Sequence, residues 1–468
     1  MRWIVLPLVG LFLLFGAASG GAAADSACPK GEPESYTAAS TGTFLLFSDV
    51  HFDPFADPGK AAALAAAPAS QWGDILAETP PVVSPYGQDS NNALLQSFLD
   101  DMARRVPRPD FLLFPGDLLC HDFWTRYRQA TGDASQAGLT AFVQKTAEYF
   151  LTEVTRRFPG VPLYVALGNN DSVEGDYRIA PESPYLAVTA GIIAALALPD
   201  ATARAAFLAT YPKYGCYAVD LPEAGGLRLI VINDIFWSKR YPDTALGGPV
   251  LDFLRDELAG AQGRGQKVWV MTHIPPGDNA FASARTYLDK GTIGYKPLLE
   301  DAANDAFVGL LTGYAPTIAA MLSGHVHRDY FRLFYADAAG QPVGIMRIAP
   351  AISPLRGNNP GYQAYAYDRA SLALLDETTY FLDLGASQPA WSLEYVYSKA
   401  YGRGLRGAGD WQGVYQGLAS CPDWRQAFAA YYDLSSSKLD EVTDRTFPIY
   451  WRAAAAPTRA AFGAGPVQ

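Results

Sequence analysis

Asp49-Val50-His51, Gly116-Asp117, Gly168-Asn169-Asn170-Asp171, Thr272-His273-Ile274-Pro275-Pro276 and Gly324-His325-Val326-His327 set carboxylate, carboxamide and imidazole donors at five separate points of one chain. An aspartate and a histidine two residues apart just past a strand can address one ion. Mixed imidazole and carboxylate donors suit zinc, iron or manganese better than calcium. A carboxylate shared between two such ions can hold them about 3.5–4 Å apart, the spacing used in two-metal phosphoryl transfer. Taken singly, a strand-end Asp or His is more often a turn former or a satisfied core group. Scarcity weighs against that reading: the chain has five histidines, and His51, His273, His325 and His327 all fall in these segments. The fifth, His121, follows Asp117 in Gly116-Asp117-Leu118-Leu119-Cys120-His121-Asp122.

Each donor group trails a short apolar run. Phe44–Phe47, Phe111–Phe114, Leu163–Leu167, Val268–Met271 and Ile318–Leu322 read as buried strands. Leu94, Leu95, Phe98, Leu99 and Met102 recur at helical spacing, and Phe142 to Phe158 reads as a second amphipathic helix. Strands alternating with helices predict an α/β fold, in which polar residues beyond the C-terminal strand ends form the ligand site. Glycines before Asp117, Asn169 and His325 would let each strand end in a sharp turn. Residues 172 to about 220, rich in Ala, Pro and Tyr, predict a helical insertion. Phe331–Phe334, Val343–Ile348 and Tyr380–Leu384 read as late strands of a second sheet. After about residue 390 the pattern becomes aromatic and helical, and Ala453 to Gln468 reads as a disordered tail.

The 468 residues suit one large catalytic domain with an appendage, and 49% are hydrophobic. The formal charge of −11 and the lack of any Lys/Arg run argue against duplex nucleic acid as a partner. A small phosphorylated substrate or polyphosphate remains open if bound metals reverse the local sign. Arg2, the apolar stretch Trp3–Phe15 and Ala22-Ala23-Ala24 before Asp25 read as a signal peptide over residues 1–24, the alternative being an uncleaved anchor. Its removal predicts an exported, periplasmic or extracellular protein with no stable membrane anchor. Asp25-Ser26-Ala27 lacks the apolar residue that a lipoprotein site at Cys28 would want. Cys28, Cys120, Cys216 and Cys421 allow three full pairings, among which the sequence does not choose.

The ordered set D-x-H, G-D, G-N-x-D, H and G-H-x-H resembles the calcineurin-like metallophosphoesterase superfamily. That resemblance implies two packed mixed β-sheets flanked by helices over residues 40–388, and a small C-terminal helical extension over 389–452. It also implies roles. Asp49, His51 and His327 would hold one divalent ion, Asn169, His273 and His325 a second, with Asp117 bridging them. Zinc is the first choice, with iron or manganese as alternatives, and a hydroxide held by the pair would attack phosphorus in line. The His121-Asp122 pair, the His273-Ile274-Pro275-Pro276-Gly277 loop, Ala349–Pro354 and Asn359–Tyr362 are similar to the acid sphingomyelinase-like phosphodiesterase branch.

One departure bears on mechanism. The superfamily usually has G-N-H-D or G-N-H-E, whose histidine is held to protonate the leaving oxygen, and Asn170 stands there instead. An amide supplies no proton at neutral pH. His121 could be the general acid, with Asp122 orienting it. A phosphoanhydride substrate could need no acid, as in the endopolyphosphatase branch that the G-N-N-D variant resembles. The third reading is a metal- and phosphate-binding protein without turnover. Gln88, beside Asp89, replaces a cysteine usual in the branch. Tyr86, Tyr177, Phe236, Trp237 and Tyr362 are candidates for a substrate cleft, and Asn233 for support behind it.

Overall fold

The computed structural model describes Cys28 and residues 36–37, 39–77, 81–240, 244–337 and 340–464. The expected signal peptide lies outside these residues. Two six-stranded mixed sheets pack face to face. The first sheet has the order β12-β11-β10-β1-β2-β3 and the second β4-β5-β6-β7-β9-β8. The first comprises β1 (Thr41–Leu46), β2 (Phe111–Phe114), β3 (Leu163–Val165), β10 (Gly361–Asp368), β11 (Leu374–Leu382) and β12 (Trp391–Val396). The second comprises β4 (Tyr217–Leu221), β5 (Leu227–Val231), β6 (Val268–Met271), β7 (Ile318–Ser323), β8 (Tyr330–Tyr335) and β9 (Pro342–Ile348). The α/β expectation and the two-sheet sandwich are both met.

Each sheet holds a run of parallel strands: β1, β2 and β3 reach one edge of the first, and β5, β6, β7 and β9 form the heart of the second. β2 and β6 are buried along their whole length, which is why they read as unbroken apolar runs. Phe44 shows how the layers lock. It stacks on Phe111 (5.3 Å) and Tyr365 (4.9 Å) of its own sheet and meets Trp269 of the other at 4.9 Å. Helices cover the outer faces. In Asn92–Arg105, Leu94, Leu95, Phe98, Leu99 and Met102 form the buried stripe, and Asn91 caps the first turn by accepting from the Leu94 amide at 3.0 Å. Gln136–Arg157 lies beside it, and both reach Phe47 through Phe98 and Phe150.

Four expectations need correction. Tyr380–Leu384 belongs with β11 in the first sheet, because β10 and β11 return to the N-terminal strand β1. Residues 391–396 form edge strand β12 of that sheet, so the helical extension starts at Tyr397 rather than at 389. Residues 172–220 hold the expected helices, Pro184–Leu196 and Ala201–Tyr214, but end in strand β4. The tail expected to be loose from Ala453 is packed as far as it is described: Ala453, Ala454, Ala456 and Phe462 are buried, Asn304 donates to the Pro457 carbonyl at 2.8 Å, and Arg459 pairs with Asp301. Small Ala and Pro residues there permit close approach to the helices over Ala280–Lys290 and Asp301–Gly313.

Cys28 and Cys421 form a disulfide, with Cα atoms 5.3 Å apart, while Cys120 and Cys216 are buried free thiols. The bond engages the Cys28 thiol that lipidation would need.

Candidate metal centre

Donor groups follow the C-terminal ends of three strands of one sheet and two of the other, along the seam where the sheets meet. Asp49 and His51 follow β1, Asp117 and His121 follow β2, and Asn169 and Asn170 follow β3. His273 follows β6, and His325 and His327 follow β7. Beyond β1 the chain bridges the sheets: the Ile352 amide donates to the Ser48 carbonyl at 3.1 Å and the Ser353 amide to the Asp49 carbonyl at 3.1 Å.

Asp49, His51, Asp117, His325 and His327 all adopt left-handed backbone, with φ of 50°, 44°, 61°, 74° and 62°. Such angles cost on the order of 1 kcal/mol each in non-glycine residues and gather at functional sites. Only Gly116, at φ 112°, uses the conformational freedom expected of the flanking glycines. Gly168 and Gly324 serve close approach instead. A Cβ on Gly168 would lie 2.1 Å from Asp117 Oδ1, and one on Gly324 would lie 2.2 Å from Ser48 Oγ and 2.6 Å from Asp49 Oδ2.

The side chains converge in two groups joined by one oxygen. His51 Nε2 lies 3.4 Å from Asp117 Oδ2 and 3.2 Å from His327 Nε2, which is 3.4 Å from Asp49 Oδ1. On the other side, His273 Nε2 lies 3.2 Å from the same Asp117 Oδ2 and 3.2 Å from Asn169 Oδ1, which is 2.9 Å from His325 Nδ1. The outward nitrogens are occupied: His51 Nδ1 is 3.0 Å from the Leu119 carbonyl and His273 Nδ1 is 3.0 Å from the Pro115 carbonyl. A carbonyl only accepts, so these Nδ1 atoms carry protons and each ring turns Nε2 inward, as a lone pair on neutral His51 and, once a metal displaces its proton, on His273. Asn169 Nδ2 donates to Asp176 Oδ1 at 2.6 Å, which turns Oδ1 inward as well. Lone pairs facing lone pairs in a buried site need a cation between them, and these donors fit two divalent transition metals.

Charge follows the same geometry. Burial opposes a charge on His273, but the carboxylates of Asp117, Asp49 and Asp234 prevail and push it up to about 10. Burial and the neighbouring His121 take His51 down to about 4; burial and His273 take His325 down to about 3. Burial raises Asp49 to about 6, opposed by His273.

Asn170 is buried against the shared carboxylate. Its backbone amide donates to Asp117 Oδ1 at 2.7 Å and its Nδ2 to Oδ2 at 3.1 Å. Asp171 turns away from the centre and accepts from the amides of Asp117, Leu118, Leu119 and Gly168 at 2.9–3.2 Å, pinning the two loops together.

His121 sits at the edge of the centre. Its ring centroid is 4.2 Å from that of His51, and one donor atom from each of His51, His121 and His327 falls within a 4.8 Å group. Its partner is Asp89 rather than the adjacent Asp122. Asp89 accepts from the His121 amide at 2.9 Å, approaches Nδ1 at 3.2 Å, and is itself held by Ser353 Oγ at 2.9 Å. Asp122 is exposed, in left-handed backbone, where the helix Phe123–Thr131 begins. Burial opposes protonation of His121, but its hydrogen bond to Asp89 wins and raises its pKa.

Sequence reasoning passed over Asp89, Asp176 and Asp234. Asp234 accepts from Thr272 Oγ1 and from the Ile274 amide, bracing both sides of His273. Its signal was its place just beyond β5. Asn233, singled out instead, turns its side chain to the Tyr214 carbonyl and the Ile235 amide. Among the cleft aromatics, Phe236, Trp237 and Tyr362 are core. Tyr86 bonds Asn359, and Tyr177 alone stands at the centre, its ring 6.3 Å from that of His325.

Known proteins resemble this chain over most of its length. The chain is 28% identical over 428 residues to human acid sphingomyelinase-like phosphodiesterase 3b, covering 85% of this chain and 84% of that one. It is 26% identical over 389 residues to a cyclic GMP-AMP phosphodiesterase of Rattus norvegicus, covering 78% of each. It is 30% identical over 325 residues to human sphingomyelin phosphodiesterase, covering 66% of this chain and 46% of that one. A sequence model described as calcineurin-like phosphoesterase matches residues 42–329, which carry every donor described above, and the chain belongs to that family.

Proposed function

We propose that this chain is an exported, dinuclear metal-dependent phosphoesterase that hydrolyses a phosphodiester or phosphoanhydride bond. The observation that carries the reading is the position of Asp117 Oδ2, 3.4 Å from His51 Nε2 and 3.2 Å from His273 Nε2. One carboxylate oxygen is thereby shared by two donor groups: Asp49, His51 and His327 on one side, and Asn169, His273 and His325 on the other. Metals held there would supply Lewis acidity toward phosphoryl oxygens and a water acidic enough to act as nucleophile.

The chain's own residues then have separable tasks. Asn170 clamps Asp117 and has no proton to give. His121, held by Asp89 beside His51, is the remaining side chain placed to hand a proton to a leaving oxygen. Because the usual histidine is missing at position 170, a leaving group that needs little protonation, such as a phosphate of a polyphosphate chain, is the second reading. Export is supported by the signal-like N-terminal sequence and by the Cys28–Cys421 disulfide, a bond that persists in oxidising compartments. Among the described residues no helix is long and apolar enough to cross a membrane.

The test is metal analysis of the purified protein together with hydrolysis of an aryl phosphodiester, an aryl phosphomonoester, a nucleotide and long-chain polyphosphate. About two metals per chain and turnover of at least one substrate are expected. Asp117→Asn should lose turnover and metal together, and a fully active, fully loaded Asp117→Asn would sink the bridging role. Full metal with no turnover on any substrate would leave a binding protein.

A further inference from the structure

A cavity of about 660 Å³ opens beside the metal centre, sharing His325 and His327 with it. Its lining reverses the sign of the molecule. The chain carries a net −11, yet Lys239, Arg240, Arg285, Lys296, Arg332 and Arg356 all line this one cavity. Among the described residues the sole carboxylate lining it is Glu441, which is paired with Arg328 at 2.6 Å. Lys239, Arg240, Arg285, Lys296 and Arg356 make no ion pair with any described residue. Arg240 lies over the Tyr177 ring at 5.3 Å and Arg285 over the Phe281 ring at 5.8 Å.

Arg332 adds an independent observation. It is 1% exposed, and its Nε and Nη2 donate to the carbonyls of Pro276 and Asp278 at 3.1 and 2.6 Å. Among the described residues its buried Nη1 has no hydrogen-bond partner. Carbonyl partners cancel none of a guanidinium's charge, and a buried donor left unpaired is costly unless a ligand or water completes it.

Asp278 faces Lys296 and Arg332 from behind and Asp176 faces Arg240, which leaves a surplus of positive charge in the cavity that a ligand of opposite charge would balance. We propose that this cavity is a second anion subsite, so that the substrate carries at least one phosphate beyond the phosphoryl group cleaved at the metal centre. The class is a phosphate chain, whether inorganic polyphosphate or a nucleoside polyphosphate. Fork-shaped guanidinium groups pair bidentately with phosphate oxygens, whereas a phosphocholine ester would bring a quaternary ammonium to a wall of cations. Phe281, 43% exposed at the cavity, offers an aromatic face to a base if the chain is nucleotide-borne. This inference rests on the phosphoesterase reading and narrows it away from the phosphocholine chemistry named for sphingomyelin phosphodiesterase.

The experiment compares kcat/KM of the metal-loaded full chain on tripolyphosphate, adenosine triphosphate and 4-nitrophenylphosphocholine with that of the triple variant Arg240→Gln, Arg285→Gln, Lys296→Gln. The expected result is that the wild type favours the phosphate chains. The triple variant should lower the ratio of phosphate-chain to phosphocholine-ester kcat/KM at least about tenfold, chiefly through KM. A wild type that favours the phosphocholine ester, or a ratio unchanged in the variant, would overturn the subsite. A further loss in Phe281→Ala on adenosine triphosphate alone supports the subsite with a nucleotide as source, and none supports it with an inorganic chain. If no substrate is hydrolysed, the phosphoesterase reading fails separately, and calorimetric binding of tripolyphosphate decides the subsite. Binding by the wild type that weakens at least about tenfold in the triple variant supports it, whereas equal affinity or no binding overturns it.

Discussion

Under the proposed function, His121 and Asp89 would divide the work that the family histidine does at position 170. A general acid must hold its proton until the leaving oxygen takes it, so the rate falls as pH rises through its pKa. The Asp89 hydrogen bond raises the pKa of His121. Asp89→Asn should therefore move the alkaline fall of the pH–rate profile to lower pH, with a loss of about 10–100-fold as the ring loses its orienting partner. His121→Ala should cost about 100-fold or more on an alkyl leaving group and far less on 4-nitrophenolate. Equal losses on both leaving groups would remove the proton-donor role.

His273 gives a second prediction at this scale. With its pKa pushed up to about 10, the metal-free ring is protonated at neutral pH, while His51 and His325, pushed down to about 4 and 3, are neutral. A metal must displace the His273 proton. Affinity should thus rise with pH toward about 10, and weaken further below about 6, where Asp49 also takes a proton. Calorimetric metal titrations of chelated protein in buffers of different ionisation enthalpy should show about one proton released per chain near neutral pH. Heats independent of buffer would contradict this assignment.

At the scale of elements, the strand-end turns carry the strain and the contacts that aim the donors. Gly324 lets the turn after β7 close onto Ser48 and Asp49, and the His325 amide then donates to Asp49 at 3.0 Å. Gly324→Ala would force a methyl against those atoms. It should cost about 1–3 kcal/mol in denaturant melts and lower metal content in the folded fraction. A variant with wild-type stability and full metal would show that the turn gives way without penalty. The motif was legible here because ligands and glycines are neighbours in sequence. The left-handed angles of five donors were not, since none of those residues is a glycine and only contacts among the loops after β1, β2 and β7 impose them.

For the whole molecule, the sandwich is tied across its interior by charge as well as by apolar packing. Arg347 on β9 donates to Glu377 on β11, in the opposite sheet, at 2.7 and 2.8 Å, and to Asp329 at 2.7 Å. Tyr395 on β12 closes the network by donating to Asp329 at 2.6 Å. All three charged side chains are at most 2% exposed, so removing one leaves an uncompensated buried charge. Arg347→Leu should destabilise the fold by about 3–5 kcal/mol, measured by denaturant unfolding. The double change Arg347→Leu, Glu377→Leu should recover part of that loss, and no recovery would mean that the pair is not coupled.

What the sequence determined was local. The order of donors, their place beyond apolar runs and the α/β alternation all lie in segments a few residues long, where strand burial and side-chain chemistry leave a direct trace. Tertiary structure decided the pairings. Asp89 reaches His121 across 32 residues, displacing the nearer Asp122, because one carboxylate is buried against the ring and the other is exposed beside a helix start. Cys28 finds Cys421 across 393 residues, a choice that no spacing could make among three pairings. The basic cavity draws on residues 239–240, 285, 296, 332 and 356, no more than two of them adjacent, so it left no signal in a chain of net −11. Local propensity and motif survive in the sequence, whereas contacts between distant segments depend on how the two sheets and their helices pack.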